Sequence, residues 1–173
     1  MNKRDIKFIL APMGVAIGIS VFVSLSVFVT SKLQIPSPSE LLPFRPRPLI
    51  VAVGIIYIAA WLPIFISGIV ALNRRGAVGQ SATLRTTGIY QYLRNPMYSG
   101  ISNTILGLGL VLDQPGIILA GILWFLLTAF QCMREEKELT QRFGEEYLRY
   151  KDSVPRFMPR LGSMVADLFG GHS

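Results

Sequence analysis

The sequence predicts an all-α integral membrane protein with about four transmembrane helices and a C-terminal cytoplasmic amphipathic helix. Three observations predict this. Residues 8–31, 48–73, 95–112 and 114–133 contain no Asp, Glu, Lys or Arg, and a bilayer core needs roughly 20 apolar residues of helix. Only 16% of the 173 residues are charged, and the mean hydropathy is +0.47; a soluble domain carries about 25% charge. The basic residues crowd into alternate connections between the apolar stretches. This composition excludes an ordinary soluble protein and a disordered chain. A disulfide-stapled secreted fold is excluded too, because Cys132 is the only cysteine.

The first span is expected at Phe8–Thr30. It follows Lys3, Arg4 and Lys7, as a signal peptide would. Its apolar run is longer than a signal core of roughly 7–15 residues, and no clear A-x-A site follows, so it reads as a retained span. Gly14 and Gly18 form a small-xxx-small step that allows close helix contact. Residues 35–48 carry five prolines, which forbid a continuous helix; Leu41, Leu42 and Phe44 can lie on a membrane surface. The second span is expected at Leu49–Leu72, with Pro63 as a kink and with Tyr57 and Trp61 as packing or interfacial residues. A polar, basic loop over 73–95 leads into a third span, Met97–Leu112. Asp113-Gln114-Pro115-Gly116 is a turn signal, and the fourth span, Gly116–Met133, completes a tight hairpin. Gly100, Gly107, Gly109, Gly116 and Gly121 suit close packing there. From Arg134 the chain is charged, with Leu139, Phe143, Tyr147 and Tyr150 near helical spacing. Gly144 is a weak point, Pro155 and Pro159 end the helix, and 161–173 is a loose tail. The whole chain, 1–173, reads as one membrane domain.

Charge sets the expected orientation. With four spans, 14 Lys and Arg residues fall on one side of the membrane and three on the other. The positive-inside rule then places both termini and loop 73–95 in the cytoplasm. The net charge of +7 is thus topological, and the expected partners are membrane lipids rather than nucleic acid.

The only histidine is His172. No His-based metal site, Ser-His-Asp triad or Cys-His pair can be built, and no metal is expected. Chemistry must come from carboxylates, Arg, Tyr, amides and a cofactor. Two clusters are suited to it. In the segment from Gly88 to Gly100, Arg94-Asn95-Pro96 opens a helix; its free N–H groups favour an anion, and Arg94 adds a two-pronged carboxylate donor. The plainer alternative is that Asn95 only caps the helix and Arg94 touches lipid phosphate. The second cluster is Arg134-Glu135-Glu136, where acids at membrane depth need partners or a task. Its plainer alternative is a solvated helix start with Arg134 and Glu138 paired at i,i+4. The hairpin lets Arg94, Asn95, Tyr98, Glu135 and Glu136 converge in one cytoplasmic pocket.

The segments GIYQYLRNPMYSG at 88–100 and EEKELTQRFGEEYLRYKDSVPRFMP at 135–159 resemble the isoprenylcysteine carboxyl methyltransferase family, part of a membrane superfamily that includes phospholipid methyltransferases. The resemblance covers about residues 84–160. It implies a membrane methyltransferase using S-adenosylmethionine, with 73–160 as the methyltransferase-like core and 1–72 as two N-terminal spans. A lipophilic or small O, N or S acceptor would come from the bilayer. Carried over, Tyr90, Arg94, Asn95, Tyr98, Gly100, Glu135 and Glu136 would bind the cofactor. Glu136 is the first catalytic expectation, and Gln131 would contact the substrate. Asn95 stands where the family usually has histidine, Gln131 where it often has arginine, and loop 73–87 is abbreviated. The alternatives are a non-catalytic protein retaining the fold and a membrane reductase.

Overall fold

The computed structural model describes residues 3–44, 46–73, 83–160 and 162. It contains α1 (Lys3–Lys32), α2 (Arg47–Asn73), a 3-10 turn at Gly88–Gln91, α3 (Pro96–Val111), α4 (Pro115–Phe143) and α5 (Glu145–Ser153). No strand occurs among the described residues. Among the described residues, two helices are long and apolar enough to cross a bilayer: Arg47–Ala71, with mean hydropathy 2.6, and Pro115–Phe143, with 2.0. Their most apolar windows are only 22% and 33% buried, whereas the core helix of a soluble protein is mostly covered. On α4, Ile122, Leu126, Phe130 and Met133 form an exposed apolar stripe. The 16 residues of α3 extend about 24 Å at 1.5 Å each, short of a bilayer core of about 30 Å.

The tail differs from expectation. The fourth apolar helix continues past Met133 to Phe143, because Arg134 to Arg142 contains no Gly or Pro. The expected amphipathic helix is therefore divided: its first half is the end of α4 and its second half is α5. The break is Gly144, whose φ of +54° lies in the left-handed region that favours glycine. Glu145 and Glu146 in the first turn of α5 and Lys151 in the last match its helix dipole. Val154 is extended, as expected before Pro155.

The described chain forms two compact units. One comprises residues through Ile55 together with Ile105–Ile122. It is packed through close backbone approach. A Cβ on Gly109 would lie 2.6 Å from the Ile118 side chain and 2.8 Å from its backbone nitrogen, so α3 and α4 form the expected hairpin. Gly116 instead meets Val27 and Thr30 of α1, where a Cβ would lie 2.8 Å from the Val27 nitrogen. The α3–α4 turn is closed by Asp113, which accepts hydrogen bonds from the Ser39 backbone N–H at 2.9 Å and its hydroxyl at 2.5 Å. Phe44, Leu41 and Leu42 of the proline-rich segment are exposed.

The second unit comprises Ile56–Thr104 and the chain from Leu123 onward. Trp61, Ile64 and Leu93 form one buried cluster, flanked by Tyr57 and Ile89. Tyr57 and Trp61 are thus packing residues, and the Tyr57 hydroxyl donates to Asn103 Oδ1 at 2.6 Å. A second cluster joins Tyr147, Tyr150 and Val154 to Leu84, Leu139 and Phe143. Polar side chains in the apolar helices bond back to carbonyls one turn earlier. Ser102 bonds to Tyr98, Thr104 to Gly100 and Thr128 to Trp124, which satisfies their hydroxyls where water is scarce.

Candidate functional site

A cavity of about 390 Å³ lies within the second unit, between the start of α3, the end of α4 and α5. Such a volume is typical of a small-molecule or cofactor site. Tyr90, Arg94, Asn95, Tyr98 and Glu135 line it, as do Leu139, Phe143, Tyr147 and Tyr150. Thr83, Leu84 and Arg85 supply another wall; positions 74–82 of the abbreviated loop lie outside the described residues.

Local sequence fixes each wall. Asn95 precedes Pro96, and its carbonyl accepts the Ser99 N–H at 3.1 Å, so α3 begins at a proline whose missing N–H costs nothing. The N–H groups of Met97 and Tyr98, both on the cavity wall, have no acceptor four residues earlier within the helix. They supply the positive end of its dipole. Tyr98, on the first turn of α3, donates its hydroxyl to Glu135 Oε1 at 2.8 Å. Gln131, one turn earlier on α4, donates to the same oxygen at 3.2 Å. Glu135 Oε2 has no hydrogen-bond partner among the described residues, so the cavity holds a carboxylate oxygen able to accept.

Behind this wall Glu136 is buried between two arginines. Arg156 grips it with a fork, Nε to Oε1 at 2.9 Å and Nη2 to Oε2 at 2.6 Å. Arg94 Nη1 lies 2.9 Å from Oε1 but off the hydrogen-bonding line. Neither Arg94 Nε nor Nη1 has a hydrogen-bond acceptor among the described residues. Hydrogen bonding to Glu136 holds the Arg156 guanidinium above its usual pKa. Burial pushes the Tyr147 phenol up and Glu136 adds to the rise, against a hydrogen bond and charge from Arg94. Burial likewise raises Tyr90, opposed by Arg85. It raises Tyr150 as well, and the Tyr150 hydroxyl donates to the Tyr90 carbonyl at 2.7 Å. Neutral phenols therefore line this wall at physiological pH.

The structure brings Arg94, Asn95, Tyr98 and Glu135 together on the cavity, four of the five residues that the hairpin is expected to converge, and Tyr90, expected from the family resemblance, lines it as well. Three expected residues sit elsewhere. Glu136 does not line the cavity; its carboxylate turns to Arg94 and Arg156. Gly100 is buried against Phe65, where a Cβ would lie 2.6 Å from the Phe65 nitrogen, so its small size serves helix packing. Gln131 is exposed on α4 and reaches the site only through Glu135. Arg134 is exposed and forms no ion pair with Glu138, which itself lines the cavity. Composition and spacing did not single out Arg156. Its only signal was its place in the Val154-Pro155-Arg156 segment. No group of three or more His, Cys, Asp or Glu suited to a metal occurs among the described residues.

An all-helical chain with apolar helices and a cofactor-sized cavity at their polar end is the class this geometry defines. The profile of the phospholipid methyltransferase family matches residues 49–146, and the chain belongs to that family. Its similarity to curated proteins is to isoprenylcysteine methyltransferases, as the two motifs imply. Over 90 residues it is 36% identical to the human protein-S-isoprenylcysteine O-methyltransferase, covering 50% of this chain and 31% of that protein. The rat protein of the same name is 37% identical over 81 residues, covering 44% and 28%. Protein-S-isoprenylcysteine O-methyltransferase B of Arabidopsis thaliana is 36% identical over 78 residues, covering 44% and 39%. The matched segment thus spans between about a quarter and two-fifths of the length of these relatives.

Proposed function

We propose that the protein is a membrane-embedded S-adenosylmethionine-dependent methyltransferase acting on a lipophilic acceptor, with an S-prenylated cysteine carboxylate as the first acceptor to test. The observation that carries this reading is one cavity whose wall holds two chemically distinct polar groups. Arg94, Asn95 and the N–H groups at the start of α3 suit a carboxylate. Glu135 offers an unused acceptor oxygen beside Tyr98, which suits the hydroxyls of a ribose. Leu139, Phe143 and Tyr147 add apolar and aromatic surface to the same wall. These residues fit the cofactor. Family membership and the isoprenylcysteine methyltransferase relatives support the same reading.

The cofactor supplies an activated methyl group on a sulfonium. The chain's own residues align the reactants and exclude water, which is where most of the rate must come from. Glu135 and Tyr98 hold hydroxyls, and Gln131 fixes the Glu135 carboxylate. Glu136 acts indirectly by placing Arg94. A carboxylate acceptor is already ionised near neutral pH, so transfer to it needs no general base. An amine or thiol would need one, and this chain's single histidine is His172. Four crossings, with both termini and the cavity facing the cytosol, agree with the charge distribution and with a cytosolic cofactor.

The test is calorimetric titration of detergent-purified protein with S-adenosylhomocysteine. Saturable binding is expected. Arg94→Ala should weaken it by at least about tenfold, or about 1.4 kcal/mol. Transfer of labelled methyl to an S-farnesylated cysteine derivative should then exceed transfer to an amine phospholipid. Folded protein that binds no S-adenosylhomocysteine would refute the proposal.

A further inference from the structure

The Val154–Arg156 strap is not explained by the walls of the cavity, yet it is bonded to the start of α3 at three points. The Arg94 N–H donates to the Pro155 carbonyl at 2.9 Å, and the Asn95 N–H to the Arg156 carbonyl at 3.2 Å. The Asn95 side-chain amide reaches the same carbonyl at 3.4 Å. The Phe157 ring then meets Phe125 edge-on at 5.1 Å, and Val154 is buried beside Tyr147 and Tyr150. The strap therefore sets where the backbone of Arg94 and Asn95 stands.

Its side chain does something separate. Glu136, Arg94 and Arg156 make a triad with one negative and two positive charges. The side chains of Glu136 and Arg94 are 6% and 8% exposed, against 34% for Arg156. A buried Glu–Arg pair alone would be neutral and closed. Here Arg156 takes both carboxylate oxygens in a two-pronged fork, the strongest geometry such a pair has. Arg94 is left beside an oxygen already engaged, with its Nε and Nη1 donors unmet among the described residues.

We infer that Arg156 is a positioning residue: by occupying Glu136 it leaves the charge of Arg94 available at the start of α3 for the carboxylate end of the bound cofactor. The inference rests on the methyltransferase reading and adds to it a residue outside the cavity wall. Without Arg156, Glu136 turns fully to Arg94 and neutralises the anion site.

Two ligands separate this from a merely structural role. S-adenosylhomocysteine carries the amino-acid carboxylate; 5′-methylthioadenosine keeps the adenosine and thioether and lacks it. Both are titrated into full-length wild type, Arg156→Ala and Arg156→Lys, with thermal unfolding followed in parallel. In Arg156→Ala, S-adenosylhomocysteine affinity should fall at least about tenfold, as expected on losing a charge-assisted contact, while methylthioadenosine affinity stays within about twofold. Arg156→Lys keeps the charge without the fork and should fall between. If Arg156→Ala does not fold, the ratio of the two affinities in Arg156→Lys decides. Equal losses for both ligands, or no loss for either, would overturn the inference. Wild type that binds neither ligand would instead overturn the methyltransferase reading beneath it.

Discussion

The turn between α3 and α4 and the polar ends of the same two helices are built by opposite means. At the turn, backbones touch. Gly109 lies against Ile118 and Gly116 against Val27, and a single carboxylate, Asp113, reaches a distant segment at Ser39. At the polar ends side chains do the joining. Tyr98 meets Glu135 across α3 and α4, and Glu136 meets both Arg94 and Arg156. Close packing in an apolar environment asks only for shape, so small residues suffice. A charge cluster asks for partners on several elements at once, and removing one leaves another buried and unpaired. The first arrangement confers stability alone. The second confers stability and a cavity with defined charge.

That contrast can be broken most forcefully at Glu136. Replacing it with Ala leaves Arg94 and Arg156 facing one another. The loss should be about 3 kcal/mol, the low end for a broken buried pair, because Arg156 can turn to solvent. Thermal unfolding in detergent measures it, and S-adenosylhomocysteine affinity should fall with it. A loss below about 1 kcal/mol, the range of exposed pairs, would show that packing holds this end as well. Gly116→Val makes the converse test. The new side chain collides with the backbone of Val27, and overpacking of this kind costs about 1–3 kcal/mol. Stability should fall while affinity for S-adenosylhomocysteine stays unchanged. A matching fall in affinity would mean that the two regions are not separable.

The same contrast explains what could be read without the structure. Apolar stretches announce helices directly, so α2 and α3 begin and end within two residues of expectation. The roles of the glycines are less legible. Five suit close packing in the hairpin, and Gly109 and Gly121 do face across it, Gly121 against Leu106. Gly100 faces Phe65 on α2 and Gly116 faces α1, because a small residue marks a close contact without naming its partner. At the cavity, one hairpin fixes both Tyr98 and Glu135, which are hydrogen-bonded. Spacing alone does not distinguish Glu135 from Glu136. Adjacent positions on a helix lie about 100° apart, so only one of the pair can face the cavity, and Arg156, 20 residues along the chain, decides what the other does.

The smallest effect is expected at Asp113, where the turn's charged contact with Ser39 can be isolated. Its φ of +54° is a conformation that Asn tolerates as well as Asp, so Asp113→Asn changes charge and little else. The hydrogen bonds from Ser39 hold the Asp113 carboxyl below its ordinary pKa of 3.8. A depressed carboxyl contributes stability above its unfolded pKa and loses that contribution as pH falls through the folded value. Asp113→Asn should therefore cost about 0.5–1 kcal/mol at pH 7, with solvent screening favouring the lower figure. The gap from wild type should hold steady down to pH 5 and narrow once the pH passes below 3.8. Unfolding curves across that range would show it. A gap that persists unchanged at low pH would place the turn's stability in the shape of the Ser39 contact, and the Asp113 carboxylate would then carry no more electrostatic weight than the glycines around it.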